Sequence, residues 1–399
     1  MTATFNPDEE LRRLEDDPAA GTAEVYRGLL SQCPVSKVEV PNSTVSYWGA
    51  FAYDELISVM RNFRVMSSTV AADENGFPAI VPLFADPPTH SGYRKLLNPN
   101  FPPEVVGRLA ETIRTMAQQM VEELVELGEV DFAQTFATQF PTRVLCLFLG
   151  VPDEDWPVHH RFNLAVDVAT GTGLNLPTEG LPAEIFADIT PYIQRVIEDH
   201  RANPRQDIVS SFIDGRIGDR ALEEFEIVQL IIAMMLAGHA TTTAALNNAV
   251  LRLAQDQELQ SYLRSNPERI ADAIEESLRI DTPQQALTRK CLADTEIGGV
   301  TIPAGDFVLT NYGSANVDPK HWSDPEKFDI DRAGKGHLAF GHGLHQCLGQ
   351  HLARLDMRIA VEELLARTSS ITLAGPVKRR TYPVLAPTSM PVRLHARDL

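Results

Sequence analysis

The sequence predicts a mainly α protein, a large helical body with a small β lobe. Three features predict it: long stretches with apolar residues three and four apart, few and short strand-like pieces, and one polar segment without periodicity. The helical pattern runs over Val105 to Leu127 and stops at Gly128. It returns over Ala183 to Arg201, Leu222 to Leu253, Ala271 to Arg279 and Gln350 to Leu365. Strand-like pieces lie near Val38 to Trp48, over Glu296 to Val308 and close to the C-terminus, with Gly298-Gly299 and Pro303-Ala304-Gly305 as turns. They are far apart in sequence, so the β lobe is assembled from separate segments. From Asn311 to His342 the pattern lapses among Pro319, Pro325, Asp329 and Gly334, which predicts a long ordered loop of the kind that carries function.

Composition narrows the function. With 399 residues, 44% of them apolar and 22% charged, the chain can bury a large core, and it reads as one structural unit over residues 1–399. A formal charge of −19 argues against nucleic acid or an anionic membrane as partner, since either repels such a surface. Cys33, Cys146, Cys291 and Cys347 are far apart and read as thiols of a reducing cytoplasm. Met1 to Asp16 is polar and acidic, without the basic start or apolar run of a signal peptide. The most apolar stretch, Ile227 to Gly238, is interrupted by Gln229 and falls short of the ~18 apolar residues of a membrane span. A cytoplasmic location, with no membrane, is the expectation.

The most informative segment is Phe340-Gly341-His342-Gly343-Leu344-His345-Gln346-Cys347-Leu348-Gly349, directly before the helical run at Gln350. Cys347 therefore sits at a helix N-terminus. Unpaired N–H groups and the helix dipole there favour a thiolate, lowering the thiol pKa from its free value of roughly 8.5. A thiolate in that position can ligate iron. Gly341 and Gly343 allow a tight turn and a close approach of backbone to a flat macrocycle. Two other readings stand beside this one: an ordinary buried thiol, and a zinc cluster of His342, His345, Cys347 and His351, whose spacing lacks paired short knuckles.

Phe340, Gly343, His345, Cys347 and Gly349 occupy every fixed position of the signature of the cytochrome P450 superfamily, and His345 to Arg354 is similar to soluble bacterial members of the camphor hydroxylase type. The resemblance runs from about Ala50 to the C-terminus. It implies the P450 fold around one haem b (iron protoporphyrin IX), with Cys347 on the iron and Phe340 and Gly349 beside the cofactor. Glu276-Ser277-Leu278-Arg279 matches the family's Glu-x-x-Arg pair, which shares one helix face. The resemblance implies that this pair is buried with Arg332 and holds the loop before the cysteine. His90 and Arg94, four apart in Asp86 to Arg94, are implied to bind one haem propionate, and Arg289 and His345 the other.

Leu236-Ala237-Gly238-His239-Ala240-Thr241-Thr242 resembles the oxygen-binding part of the family's central helix. Ala237 and Gly238 are small, and the Thr241 hydroxyl can bond the carbonyl four residues back and open a groove for O2. Ala240 departs from the pattern, because most members carry there an acid that relays protons. His239, turned ~100° from its neighbours, is read as structural. Three options follow: waters and Thr241 suffice, a polar substrate supplies the path, or Ala240 is a substitution.

By resemblance the pocket draws on Val70, Ile80, Leu83, Phe84, Ala233, Ala237, Ala286, Leu287, Val384 and Leu385, so the substrate is a small apolar or aromatic molecule. Thr170-Gly171-Thr172-Gly173 fits a lid between helices. The chain carries no flavin or iron–sulfur signature. Electrons then come from a ferredoxin and an NAD(P)H-dependent ferredoxin reductase, docking on the cysteine side near Arg94, Lys95 and Arg354. Against this O2-dependent monooxygenase stand a peroxide-driven peroxygenase and a non-catalytic haem carrier or sensor.

Overall fold

The longest helix, Glu224–Gln255, organises the molecule. It starts at a capping box: the Glu223 carboxylate accepts from backbone N–H in the first turn, and Glu226 accepts from the Glu223 N–H at 2.7 Å. Its surface is apolar almost all round, the pattern of a helix buried on every side. Ile227, Leu230, Ile231 and Met235 pack in one core with the helices Gln139–Leu149, Trp156–Thr170, Ala183–Ala202 and Ile208–Ile213. Leu246, Val250 and Leu253 pack in a second core with Ala110–Leu127, Ile270–Ile280 and Gln350–Arg367. Burying each such side chain contributes about 1.5–3 kcal/mol. The helix is long and apolar enough to cross a membrane, contrary to the expectation from Ile227 to Gly238 alone, but more than half of its most apolar window lies inside the fold.

This computed structural model describes residues 22–32, 34–38, 47–70, 80–170, 183–332, 336–380 and 383–397. Met1 to Asp16, Cys33 and the glycines of the expected lid lie outside the described residues; Asn163 to Thr170 belong to the helix Trp156–Thr170. The helix expected from Val105 is helical from Pro103 but in two parts, the four-residue α-helix Pro103–Val106 leading through the 3-10 turn Gly107–Leu109 into Ala110–Leu127.

The β lobe is a five-stranded sheet in the order Val35–Val38, Tyr47–Ala50, Phe307–Asn311, Ala286–Cys291, Met66–Ser67. The second and third strands pair in parallel and the other neighbours antiparallel. Thr368–Leu373, Pro391–Ala396 and Glu129–Asp131 form a smaller antiparallel sheet. Sequence patterning misses Ala286–Cys291 and Met66–Ser67 because their polar residues lie inside: Ser67 and Arg289 are both buried.

The polar segment after Asn311 is an ordered loop pinned by one buried carboxylate. Glu276, 1% exposed, accepts two bonds from Arg279 at 2.7 and 2.8 Å, one from Arg332 at 3.2 Å and one from the Asp329 N–H at 3.0 Å. Arg279 also donates to the Asn316 carbonyl at 2.8 Å, and the Asn316 side chain accepts from the Leu338 N–H at 2.6 Å. The chain leading to Phe340 is thereby fixed to the helix Ile270–Ile280. Glu276→Ala leaves two buried guanidinium groups short of their counter-ion and should cost about 3–5 kcal/mol in denaturant unfolding. Arg201→Ala, which breaks a pair with Glu224 about half exposed on both sides, should stay within about 1 kcal/mol.

Candidate active site

Two positive-φ glycines shape the Cys347 loop. Gly341 has φ +68° and Gly343 φ +73°, and a Cβ on Gly343 would come within 3.1 Å of the Met60 carbonyl oxygen. The turn is closed by the Cys347 N–H donating to the Phe340 carbonyl at 2.8 Å and the Gln346 N–H to the Gly343 carbonyl at 3.1 Å. Behind it, Arg354 lies 4.3 Å over the Phe340 ring and bonds both oxygens of Glu275. Cys347 is accessible where it faces a cavity of about 230 Å3.

Burial pushes the Cys347 thiol up, against the Gly349 and Gln350 N–H groups and the charges of Arg94 and Arg354, which lower it. This corrects the expected net lowering at the helix N-terminus: the donors are in place, but desolvation outweighs them.

The same cavity is lined by His90, Arg94 and His345, by Phe340 and Gly349, and from the central helix by Ala233, Ala237, Gly238 and Thr241. The His90 and His345 rings lie 4.2 Å apart. Nδ1 of His90 and Nε2 of His345 are buried without a hydrogen-bond partner among the described residues. Burial and the Arg94 charge push His90 down to about 4; burial, then Arg289, His90 and Arg94, push His345 down to about 2. Two uncharged imidazoles beside guanidinium groups, with ring nitrogens unsatisfied, form a place that an anionic group would complete. Gly349 lines the cavity, and a Cβ there would meet no protein atom within 4 Å, so the backbone can lie against a flat ligand. A thiol, a guanidinium beside two imidazoles with free ring nitrogens, and a bare backbone around one apolar cavity fit an iron macrocycle with acidic side groups.

Comparison with known proteins agrees. The family model described as Cytochrome P450 matches residues 177–379. Cytochrome P450-terp of a Pseudomonas species is 34% identical over 77% of this chain and 74% of its own. The mycinamicin IV hydroxylase/epoxidase of Micromonospora griseorubida is 33% identical over 88% and 89%. A solved cytochrome P450 structure from Chondromyces apiculatus superposes with a TM-score of 0.87 at 25% identity, covering 100% of both chains.

This chain belongs to the cytochrome P450 family. It has the P450 fold and is a haem-thiolate monooxygenase of bacterial type, with haem b as its cofactor.

In this P450 the distal helix keeps its expected local bond, the Thr241 hydroxyl donating to the Ala237 carbonyl at 3.0 Å. Ala240 does not line the cavity. His239 is buried, and its Nδ1 lies 2.7 Å from the Thr142 hydroxyl, which donates to the Thr138 carbonyl, so the ring packs between helices. His342 pairs with Arg61 and His345 with His90, and no three His, Cys, Asp or Glu side chains among the described residues gather as for a metal ion.

Several expected pocket residues need correction. Leu83, Ala233, Ala237 and Leu287 line the cavity; Val70, Ile80, Phe84, Ala286, Val384 and Leu385 do not. Strand residues alternate faces, so of Ala286 and Leu287 one turns away, and Ala286 packs with Phe51 and Leu309. Ile80 and Phe84 belong to the core around Leu145, with Val70 packed against it. Val384 packs on Ala244, and Leu385 on Tyr26 and Ile280. Arg289, also expected at the cofactor, stands behind the lining and donates to the Thr288 carbonyl at 2.9 Å, although its charge still acts on His345.

Sequence reading also missed lining residues. Leu145 and Phe148 are ordinary apolar positions of a core helix and carry no signal. Asp356 does: it is an acid between Leu355 and Met357 in an otherwise apolar stretch of helix face. It is 4% exposed, lines the cavity, and leaves Oδ1 without a hydrogen-bond partner among the described residues. Burial raises its pKa well above the usual value. A folded pKa above the unfolded one means that the folded state holds the proton more tightly. Stability is then full below about pH 4 and is lost as pH rises through the window above it. Asp356→Asn removes that loss, so the melting temperature of the variant minus that of wild type should grow between pH 4 and pH 8. A difference independent of pH would refute the buried neutral carboxyl.

Proposed function

We propose that this P450 inserts one oxygen atom from O2 into a small, apolar or aromatic substrate, with electrons from a separate ferredoxin and its NAD(P)H-dependent reductase. The carrying observation is that Cys347 and Thr241 line one cavity whose remaining walls are mostly apolar, among them Leu83, Leu145, Phe148, Ala233 and Leu287. The mycinamicin hydroxylase supports an organic small-molecule substrate by kinship. A cytoplasmic location, without membrane or nucleic-acid partner, accords with the net charge of −19.

When bound, the haem iron supplies the activation of O2 and the oxidation of the substrate. Cys347 Sγ would hold the iron, and the N–H groups of Gly349 and Gln350 would stabilise its thiolate. His90, Arg94 and His345 would hold the propionates, with Arg289 adding charge from behind. Phe340, held by Arg354, would keep the loop flat against the cofactor. Apolar walls exclude water and orient the substrate by shape. The Thr241 hydroxyl, which at rest donates to the Ala237 carbonyl, would pass a proton from the distal helix once it turns to the cavity, and Ala240 adds none.

On the cysteine side Arg354 is taken up by Glu275 and Arg94 by the cavity and the Gln346 carbonyl, so of the three expected docking cations Lys95 is the one left exposed.

Reduced protein with carbon monoxide should show the long-wavelength band of thiolate-bound haem, and Cys347→His should abolish it. If the wild-type protein contains stoichiometric haem but lacks the band, Cys347 is not the ligand. Ala240 generates a second expectation, because the missing acid should slow proton delivery and divert reducing power to hydrogen peroxide. Ala240→Asp should raise product formed per NADH consumed and lower peroxide, while Thr241→Ala should do the reverse. A wild type already tightly coupled and harmed by the new acid would mean that substrate or ordered water carries the protons. Turnover with hydrogen peroxide alone as fast as with NADH and ferredoxin would favour the peroxygenase.

A further inference from the structure

The helix Thr89–Leu97 brings His90 and Arg94 to the cavity, yet it has only nine residues and no side-chain cap at its N-terminus. Such a helix is marginal by itself, so its placement depends on tertiary bonds. Its start is tied through Asp86, which accepts from the Ser68 N–H at 2.9 Å and from the Ser67 hydroxyl. Its middle is tied through Tyr93, one residue before Arg94.

Tyr93 is 2% exposed and donates its hydroxyl to Glu226, itself 2% exposed in the first turn of the central helix. The Glu226 carboxylate also accepts two bonds from Arg220, at 2.6 and 2.8 Å, and one from the Glu223 N–H at 2.7 Å. Arg220 belongs to the hairpin of Arg216–Ile217 and Arg220–Ala221. Ile217 of that hairpin packs on Gly92, where a Cβ would come within 2.9 Å of it. One buried anion thus joins the cation-bearing helix, a surface hairpin and the helix that carries Thr241. Eleven residues separate Glu226 from Ala237 (237 − 226), about 16 Å along the helix axis.

We propose that Glu226 is a positioning residue for the haem: acting through Tyr93, it holds His90 and Arg94 where they meet the propionates, and so sets how tightly the cofactor is retained. The inference rests on the reading of His90 and Arg94 given above. Although burial opposes ionisation, Arg220 and Tyr93 hold the Glu226 carboxyl down to about 2. The anchor is therefore a fixed charge at neutral pH and not a pH switch.

The test uses the haem-loaded enzyme and measures transfer of haem to excess apomyoglobin. Tyr93→Phe deletes one hydroxyl and Glu226→Gln one charge, and each should speed haem loss roughly tenfold, as expected for a lost hydrogen bond to a charged group. Arg252→Ala breaks the pair with Asp281 at the far end of the same helix. It serves as a control that lowers thermal stability without speeding haem loss. Because Glu226 acts through His90 and Arg94, Glu226→Gln should add little in a background that lacks both, His90→Ala with Arg94→Ala, and its full factor in an Arg289→Ala background. If Arg94→Ala keeps haem like wild type, the propionate reading fails. If Arg94→Ala loses haem while Tyr93→Phe and Glu226→Gln keep it, that reading stands and the role of Glu226 is overturned. Haem loss that merely tracks melting temperature across all the variants, Arg252→Ala included, overturns it too. Should Glu226→Gln not fold, Tyr93→Phe decides alone.

Discussion

Burial of the helix Glu224–Gln255 is the constraint on which the other parts depend. Because it is apolar on nearly every face, it must be surrounded, and the two halves of its length collect the two main cores. Function needs that helix to be broken into at one place. Ala233, Ala237 and Gly238 supply it, since side chains this small leave room beside the backbone that a leucine would fill. The surroundings of the gap are rigid because both flanking stretches are packed.

Charge inside the protein separates into two kinds. Glu276 and Glu226 are buried and Glu275 partly so; each is satisfied by at least two donors from different segments and fixes one segment to another. The groups facing the cavity are buried and incomplete: His90 Nδ1, His345 Nε2 and Asp356 Oδ1 lack partners among the described residues. Unsatisfied buried polar atoms cost free energy, and these three face one cavity, where a bound group can partner them. The first kind is architecture, and it holds the second kind in place.

The sequence showed the parts of this arrangement that are local. The loop Phe340 to Gly349, the Glu276 and Arg279 spacing, the four-residue step from His90 to Arg94 and the step from Ala237 to Thr241 all express contacts made within one turn or one motif. Contacts between distant segments were less legible. Leu385 and Phe84 are apolar and near the site in chain order, and only packing decides that they turn to the core while Leu145 and Phe148 face the cavity. The thiol of Cys347 was misjudged for a related reason. Helix-terminal donors can be read from position, whereas the desolvation that opposes them comes from the whole surrounding fold. Ala286–Cys291 escaped notice because a central strand that buries Arg289 breaks the alternation by which strands are recognised.

The same distinction bears on Ala240. His239 stands beside it in sequence and could be taken for a replacement proton donor, but burial holds its imidazole down to about 3 and its Nδ1 is engaged with Thr142. A neutral ring packed between two helices is a poor source of protons, and it is not in the cavity wall that Ala237 and Thr241 form. The acid that does reach the cavity is Asp356, on another helix, and burial keeps its proton on. The distal helix therefore contributes the hydroxyls of Thr241 and Thr242 and space but no ionisable group. The Thr241 hydroxyl and the Ala237 carbonyl already bond each other. An ionisable group for proton supply on this helix is thus lacking, so selectivity and proton supply are linked: a substrate that fills the apolar space completely also decides whether a water can stand beside Thr241.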